Sequence, residues 1–202
     1  MKISTNLILT ALIYSSTILS TYAQLDLKLN VDNLVDAKPE VSVEFGADKF
    51  SLELTNGLIF KKWGEATIVD ANGNETEIEV KRFGYNGMLR ANYYFNPTNT
   101  LDGWHISPYT RYRFQNIKFE EPVVNNRVGL GILLGRKGMI NDQFGYQVEA
   151  GLGYWLLNNY KFKKSGEKTT ISQEIPLIGN IIESFDKFDL PINISVFYRI
   201  GG

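Results

Sequence analysis

The sequence predicts an all-β chain whose antiparallel strands run up and down and close into a barrel, and three observations predict it. Apolar and polar residues alternate with a period of two over eight segments, the signature of strands whose faces meet different surroundings. Short and longer connections alternate between those segments, as consecutive antiparallel strands require. An even number of strands lets the sheet close with both ends of the chain on one side. The last segment is the clearest: Leu190, Ile192, Ile194, Val196, Tyr198 and Ile200 share one face, and Pro191, Asn193, Ser195, Phe197 and Arg199 share the other.

The other segments follow in order. Leu25, Leu27, Leu29 and Val31 oppose Asp26, Lys28, Asn30 and Asp32, and an irregular connection through Asp36 and Pro39 follows. Val41, Val43 and Phe45 oppose Ser42 and Glu44, ending in a tight turn over residues 46–49. Phe50, Leu52 and Leu54 oppose Ser51, Glu53 and Thr55. A long excursion comes next, with Asn72-Gly73 as a hairpin tip. Phe83, Tyr85, Leu89, Ala91, Tyr93 and Phe95 then oppose Asn86, Met88, Arg90, Asn92 and Tyr94. Trp104, Ile106, Pro108, Tyr112 and Phe114 oppose Ser107, Tyr109, Arg111, Arg113 and Gln115. Val128, Leu130, Ile132 and Leu134 oppose Arg127, Gly129, Gly131, Leu133 and Gly135. Phe144, Tyr146, Val148, Ala150, Leu152, Tyr154 and Leu156 oppose Gln147, Glu149, Gly151, Gly153 and Trp155. Trp155 on the polar face and Thr110 on the apolar one run against their neighbours, and a β-bulge would re-aim either.

Residues 1–23 read as a cleaved secretory leader: Lys2, an apolar run over residues 7–19, and small residues at Thr21 and Ala23. Residues 24–202 are then one barrel domain. The chain has 202 residues, 21 basic and 22 acidic, so its balance points to no nucleic-acid partner. It has no cysteine, which excludes disulfides, thiol nucleophiles, Cys-ligated metals and N-terminal lipidation on cysteine.

Alternation does not say which face points outward. In a soluble carrier of the lipocalin kind, the alternative reading, the apolar face lines a ligand cavity. Composition favours the inverse. The polar face carries Asp26, Lys28, Glu44, Glu53, Arg90, Arg111, Arg113, Arg127, Glu149 and Arg199, with glycines in series on two strands. Mid-strand glycines weaken a solvated surface, whereas a crowded lumen needs small neighbours. The other face is almost uncharged, as hydrocarbon demands, since an Arg or Lys at the bilayer midplane costs about 2–4 kcal/mol. The expectation is an eight-stranded transmembrane β-barrel in a bacterial outer membrane, with periplasmic termini. Turns at 46–49, 96–103 and 138–143 would be periplasmic, and excursions at 64–80 and 163–189 would face outside. Aromatic girdles would comprise Phe45, Phe50, Phe95, Trp104, Phe144 and Tyr198 at the turn end. Phe60, Trp63, Phe83, Tyr112, Phe114 and Tyr154 would form the other.

The order of elements, with His105-Ile-Ser-Pro-Tyr-Thr-Arg-Tyr-Arg113, Val128-Gly-Leu-Gly-Ile-Leu-Leu-Gly135, Ala150-Gly-Leu-Gly-Tyr154 and Leu190-Pro-Ile-Asn-Ile-Ser-Val-Phe-Tyr-Arg199, resembles small OmpA/OmpX-type barrels. It is most similar to uncharacterised outer-membrane barrel families of Bacteroidetes. The resemblance covers nearly all of residues 24–202 and implies the fold, with little about activity.

Eight strands enclose only enough room for their own side chains. Lys28, Glu44, Glu53, Arg90, Arg111, Arg113, Glu149 and Arg199 are therefore expected to pair as a salt-bridged lumen network, because an unpaired buried charge is costly. That reading leaves no wide pore and assigns a structural or interaction role in the envelope. Catalysis is not expected: His105, beside Trp104 and near Asp102, reads as a girdle or turn residue with no serine–carboxylate constellation around it. No cofactor or metal is expected. The glycines at 129, 131 and 135 miss phosphate-loop spacing and read as lumen packing. Ile178, Ile181, Ile182 and Phe185 fall at helical spacing in the last outer loop, which makes that loop a candidate docking site for another envelope protein. The remaining expected partners are membrane lipids, lipopolysaccharide and the barrel assembly machinery.

Overall fold

Each long strand lies antiparallel to the next, and the last closes on the first. The structure, a computed structural model, describes residues 24–35, 37–60, 62–69, 75–95, 97–118, 122–162, 168–169 and 187–201. The expected leader, the Asn72-Gly73 tip, and Ile178, Ile181, Ile182 and Phe185 lie outside those residues.

The strands are β1 (Gln24–Asn30), β2 (Glu40–Ala47), β3 (Phe50–Ile59), β4 (Lys62–Val69), β5 (Glu75–Phe95) and β6 (Gly103–Lys118). They continue as β7 (Val123–Met139), β8 (Phe144–Phe162), β9 (Lys168–Thr169), β10 (Phe188–Asp189) and β11 (Ile192–Ile200), with one short helix, α1 (Val31–Val35). Pairing runs β1–β2–β3–β5–β6–β7–β8–β11 and returns to β1, where Leu25 faces Ile200 and Asn30 faces Ser195. All these pairs are antiparallel, so the fold is an all-β ring. Strand β4 lies against the first part of β5, from Lys62 opposite Lys81 to Val69 opposite Glu75. The described arms of the long excursion thus pair as a β-ribbon.

The ring is polar inside and apolar outside. Asp26, Glu44, Glu53, Asn86, Asn92, Gln147 and Glu149 are buried, whereas Leu130, Leu152 and Ile194 are 51%, 57% and 43% exposed. A carrier with an apolar interior would need the reverse, and this arrangement disfavours it. Outward aromatic side chains gather in two bands. At the turn end Phe50 meets Tyr93 with ring centres 5.0 Å apart, and Phe144 meets Tyr198 at 5.1 Å. Toward the other end Phe60 meets Phe83 at 5.6 Å, and Tyr85 meets Tyr112 at 6.4 Å.

Two local departures correct the expected strand map. First, β1 stops at Asn30, so Val31 and Asp32 belong to α1 and Asp32 is no lumen charge. Its carboxylate accepts a hydrogen bond from the Ile194 backbone N–H at 2.8 Å. Ile194 lies just beyond Ser195, where the pairing of β11 with β1 ends, and the carboxylate takes the place of a β1 partner. Second, the register of β7 and β8 slips between Val128, opposite Leu157, and Gly129, opposite Trp155. Leu156 is the extra residue of a bulge, and Leu156 and Leu157 both point outward. The bulge leaves Trp155 inside, 4% exposed, and resets the phase so that Tyr160 also faces inward. Thr110 stays on the outer face and donates a hydrogen bond to the Gly129 carbonyl at 3.2 Å.

The inward glycines make room mainly for rings. A Cβ on Gly153 would lie 2.2 Å from the Tyr109 hydroxyl oxygen, and one on Gly145 would lie 2.2 Å from the Phe197 ring. Below the lumen, the connection between β5 and β6 folds under the turn end. Leu101, at φ 56° and wholly buried, donates a backbone hydrogen bond to the Asp48 carbonyl at 3.4 Å. Its own carbonyl accepts from Arg199 at 3.4 Å, so this end of the ring is covered.

Candidate functional site

The interior carries the chemistry of the molecule, in three tiers from turn end to loop end. Inward parity on each strand places the side chains, and the ring's small radius forces them together. At the turn end, Asp26 on β1 holds Arg199 of β11 at 2.8 Å and also pairs with Lys137 of β7. Lys137 reaches Glu44 on β2 at 2.5 Å, and its ammonium lies 4.6 Å from the centre of the Phe197 ring. Tyr94 donates its hydroxyl proton to Glu44 at 2.6 Å.

The middle tier is a chain of alternating charges. Lys28 bridges Glu44 and Glu53, each at 2.6 Å. Arg90 pairs with Glu53 on one side and with Glu149 at 2.5 Å on the other. Glu149 meets His105 Nε2 at 2.8 Å, and Gln147 donates to Glu149 at 2.6 Å. Every charged member of this tier is essentially sealed from solvent. Each charge therefore has an opposite neighbour at contact distance. In a low-dielectric interior that is the condition for keeping it ionised without a large penalty.

The loop-end tier is more open. Arg111 grips both oxygens of Asp189, at 2.9 and 2.8 Å, and Tyr109 donates to the same carboxylate at 2.8 Å. Glu40 accepts from Asn86 at 2.8 Å and Asn33 at 3.0 Å. The Arg113 guanidinium lies over the Trp155 ring, 5.2 Å from its centre.

Of the eight charges expected in the lumen, Lys28, Glu44, Glu53, Arg90 and Glu149 join one network, to which Arg199 connects through Asp26 and Lys137. Arg111 forms a separate pair with Asp189. Arg113 forms no ion pair among the described residues, stacking on Trp155 instead, which departs from its expected place in the network. Four members escape the sequence reading: Lys137, His105, Gln147 in its bonding role, and Asp189. The first three are available from parity, because the inward series 107, 109, 111 extends back to 105 and the series 131, 133, 135 extends on to 137.

His105 is the main correction here. It is neither a girdle nor a turn residue but an interior one, fully buried, with its ring 5.0 Å from Tyr94 and its Nε2 on Glu149. Asp102 is not its partner. That carboxylate accepts from the Thr98 and Asn99 backbone N–H groups at 2.8 and 3.0 Å and fixes the turn. A histidine–carboxylate pair does exist, but Arg90 shares the carboxylate and no solvent reaches the imidazole. Among the described residues no cluster of His, Asp and Glu is arranged to hold a metal ion.

Comparison with known proteins adds a family. Among curated proteins none matches the sequence. A solved structure, described as a major outer membrane protein from Thermus thermophilus, is similar at 12% identity and a TM-score of 0.46, covering 88% of this chain and 98% of that one. The family model described as "Protein of unknown function (DUF3575)" matches residues 7–176, most of the sequence, and the chain belongs to that family.

Proposed function

We propose that this protein is a non-enzymatic β-barrel of a bacterial outer membrane, eight strands in its wall, with a structural or interaction role in the envelope. One observation carries the reading: the ring turns its ionic side chains inward and leaves a nearly uncharged, leucine-rich belt outside. In water such a belt would be an aggregation surface; in acyl chains it is the required one. The aromatic bands support it. At a rise of about 3.3 Å per residue and a tilt of about 40°, Phe83 and Phe95 stand roughly 30 Å apart along the axis, enough to bracket a hydrocarbon layer. Charges on the outer face respect the same limits. On β7 the outward residues Val128, Leu130, Ile132 and Leu134 run toward the turn end before Arg136 appears. Export through a leader at residues 1–23 and insertion by the barrel assembly machinery belong to the same reading, and the bound lipids would include lipopolysaccharide.

The test uses the tryptophans. A W63F W155F double variant leaves Trp104 in the turn-end band, and a W63F W104F variant leaves Trp155 in the interior. In vesicles of brominated phosphatidylcholine, Trp104 fluorescence should be strongly quenched and Trp155 fluorescence hardly changed. The folded protein should also fractionate with membranes and migrate anomalously on gels unless boiled. An unquenched Trp104, or a protein soluble without detergent, would overturn the assignment.

A further inference from the structure

The loop-end mouth of the ring contains a cavity of about 310 Å³, room for roughly ten waters or one small organic molecule. Among its described lining residues are five cationic side chains and two carboxylates, Glu40 and Asp189. Both carboxylates are engaged, Asp189 by Arg111 and Tyr109, and Glu40 by asparagine amides. Arg113 is different. Among the described residues it meets no carboxylate, and it shares the Trp155 ring with Arg127, whose guanidinium lies 5.7 Å from the same ring centre.

The unfilled bonding groups indicate the ligand's chemistry. Among the described residues, the Nε–H groups of Arg111 and Arg113 have no hydrogen-bond acceptor, and the Asn86 side-chain oxygen has no donor. All three residues line the cavity. Guanidinium donors fit an oxyanion, and a side-chain carbonyl oxygen fits a hydroxyl. A bare inorganic ion would satisfy the first and leave the second orphaned, with most of the volume empty. We propose that the mouth of the barrel binds a sugar phosphate, its phosphate on Arg113 beside Trp155 and a hydroxyl on Asn86. The sugar phosphate is either a free solute or the head of a glycolipid.

Binding is measured on folded, detergent-solubilised protein by calorimetry, and by Trp155 fluorescence in the W63F W104F variant. The probes are glucose 6-phosphate, inorganic phosphate and glucose. Glucose 6-phosphate should bind saturably and more tightly than phosphate, with glucose showing no binding. Losing one charge-assisted contact in Arg113→Gln should weaken glucose 6-phosphate about ten- to a hundredfold. Arg136→Gln, an exposed arginine at the opposite end, should leave it unchanged. Heat-modifiable migration checks that each variant is folded. Diphosphorylated lipid A added as a competitor separates the sources: displacement assigns a glycolipid head, and none assigns a free solute. Absence of saturable glucose 6-phosphate binding in the folded wild type, or equal binding by the folded Arg113→Gln protein, would overturn the proposal.

Discussion

At the scale of single residues, the interior is governed by steric room as much as by charge. Gly131 and Gly153 face each other across β7 and β8, and the Tyr109 hydroxyl sits over both. A methyl group on Gly153 would chiefly strike that hydroxyl, whereas one on Gly131 would meet the backbone of Gly153 and Leu152 at 2.5 Å. The two substitutions should therefore behave differently. Gly153→Ala is expected to destabilise the fold by about 1–3 kcal/mol, the usual range for overpacking, and Tyr109→Phe in the same chain should recover part of that loss. Gly131→Ala should be at least as damaging and should gain little from Tyr109→Phe. Urea unfolding of the four variants in detergent, followed by tryptophan emission, measures both. No rescue at Gly153 would mean that the Tyr109 hydroxyl is not what that glycine accommodates.

At the scale of elements, strand phase decides which side chains face outward and which meet the charged interior. The bulge in β8 gives a sharp expectation. Deleting Leu156 removes the extra residue and leaves regular alternation on both sides of the gap, so this one-residue deletion should still fold and show heat-modifiable migration. Deleting Val148, where the β7–β8 ladder is regular, would instead turn Glu149 toward the outside and should abolish folding. Comparable assembly of the two deletions would show that register is held by something other than face polarity. The same phase argument explains what is legible in the sequence. Parity recovers the wall strands and the inward set because each residue's face depends only on its neighbours. The bulge at Leu156 is decided by how β8 meets β7, so Trp155, out of keeping with its face, hints at an irregularity in the sequence without fixing its position or direction. Partnerships are harder still. That Lys28 meets Glu53, or Arg90 meets Glu149, depends on the tilt and stagger of the closed ring, which no single strand encodes. His105 is misplaced for a simpler reason: its neighbours suggest a turn where β6 already runs inward.

At the scale of the whole molecule, the proposed role makes a ring this narrow, filled by paired ions, a post rather than a pipe. The middle tier blocks the axis, with Lys28, Arg90 and Glu149 each at most 4% exposed. Planar bilayers containing the protein should show no stable porin-like conductance steps. Large, well-resolved steps at modest voltage would mean that the ionic filling leaves the lumen in the membrane. Any solute bound at the mouth would therefore be held there and not carried through the wall.

Asp26 sits at the first strand of the ring, yet its partners arrive from far along the chain, Lys137 from 111 positions away and Arg199 from 173. The nearest base on its own strand, Lys28, is taken up by Glu44 and Glu53. If the ring sits in a membrane as proposed, a half-made wall without β11 would carry that acid and its orphaned companions against oil, which disfavours piecemeal entry into a bilayer. The chain is committed to waiting: β11 is the clasp, and zipping Leu25 to Ile200 is the event that makes the earlier ionic groups tolerable inside.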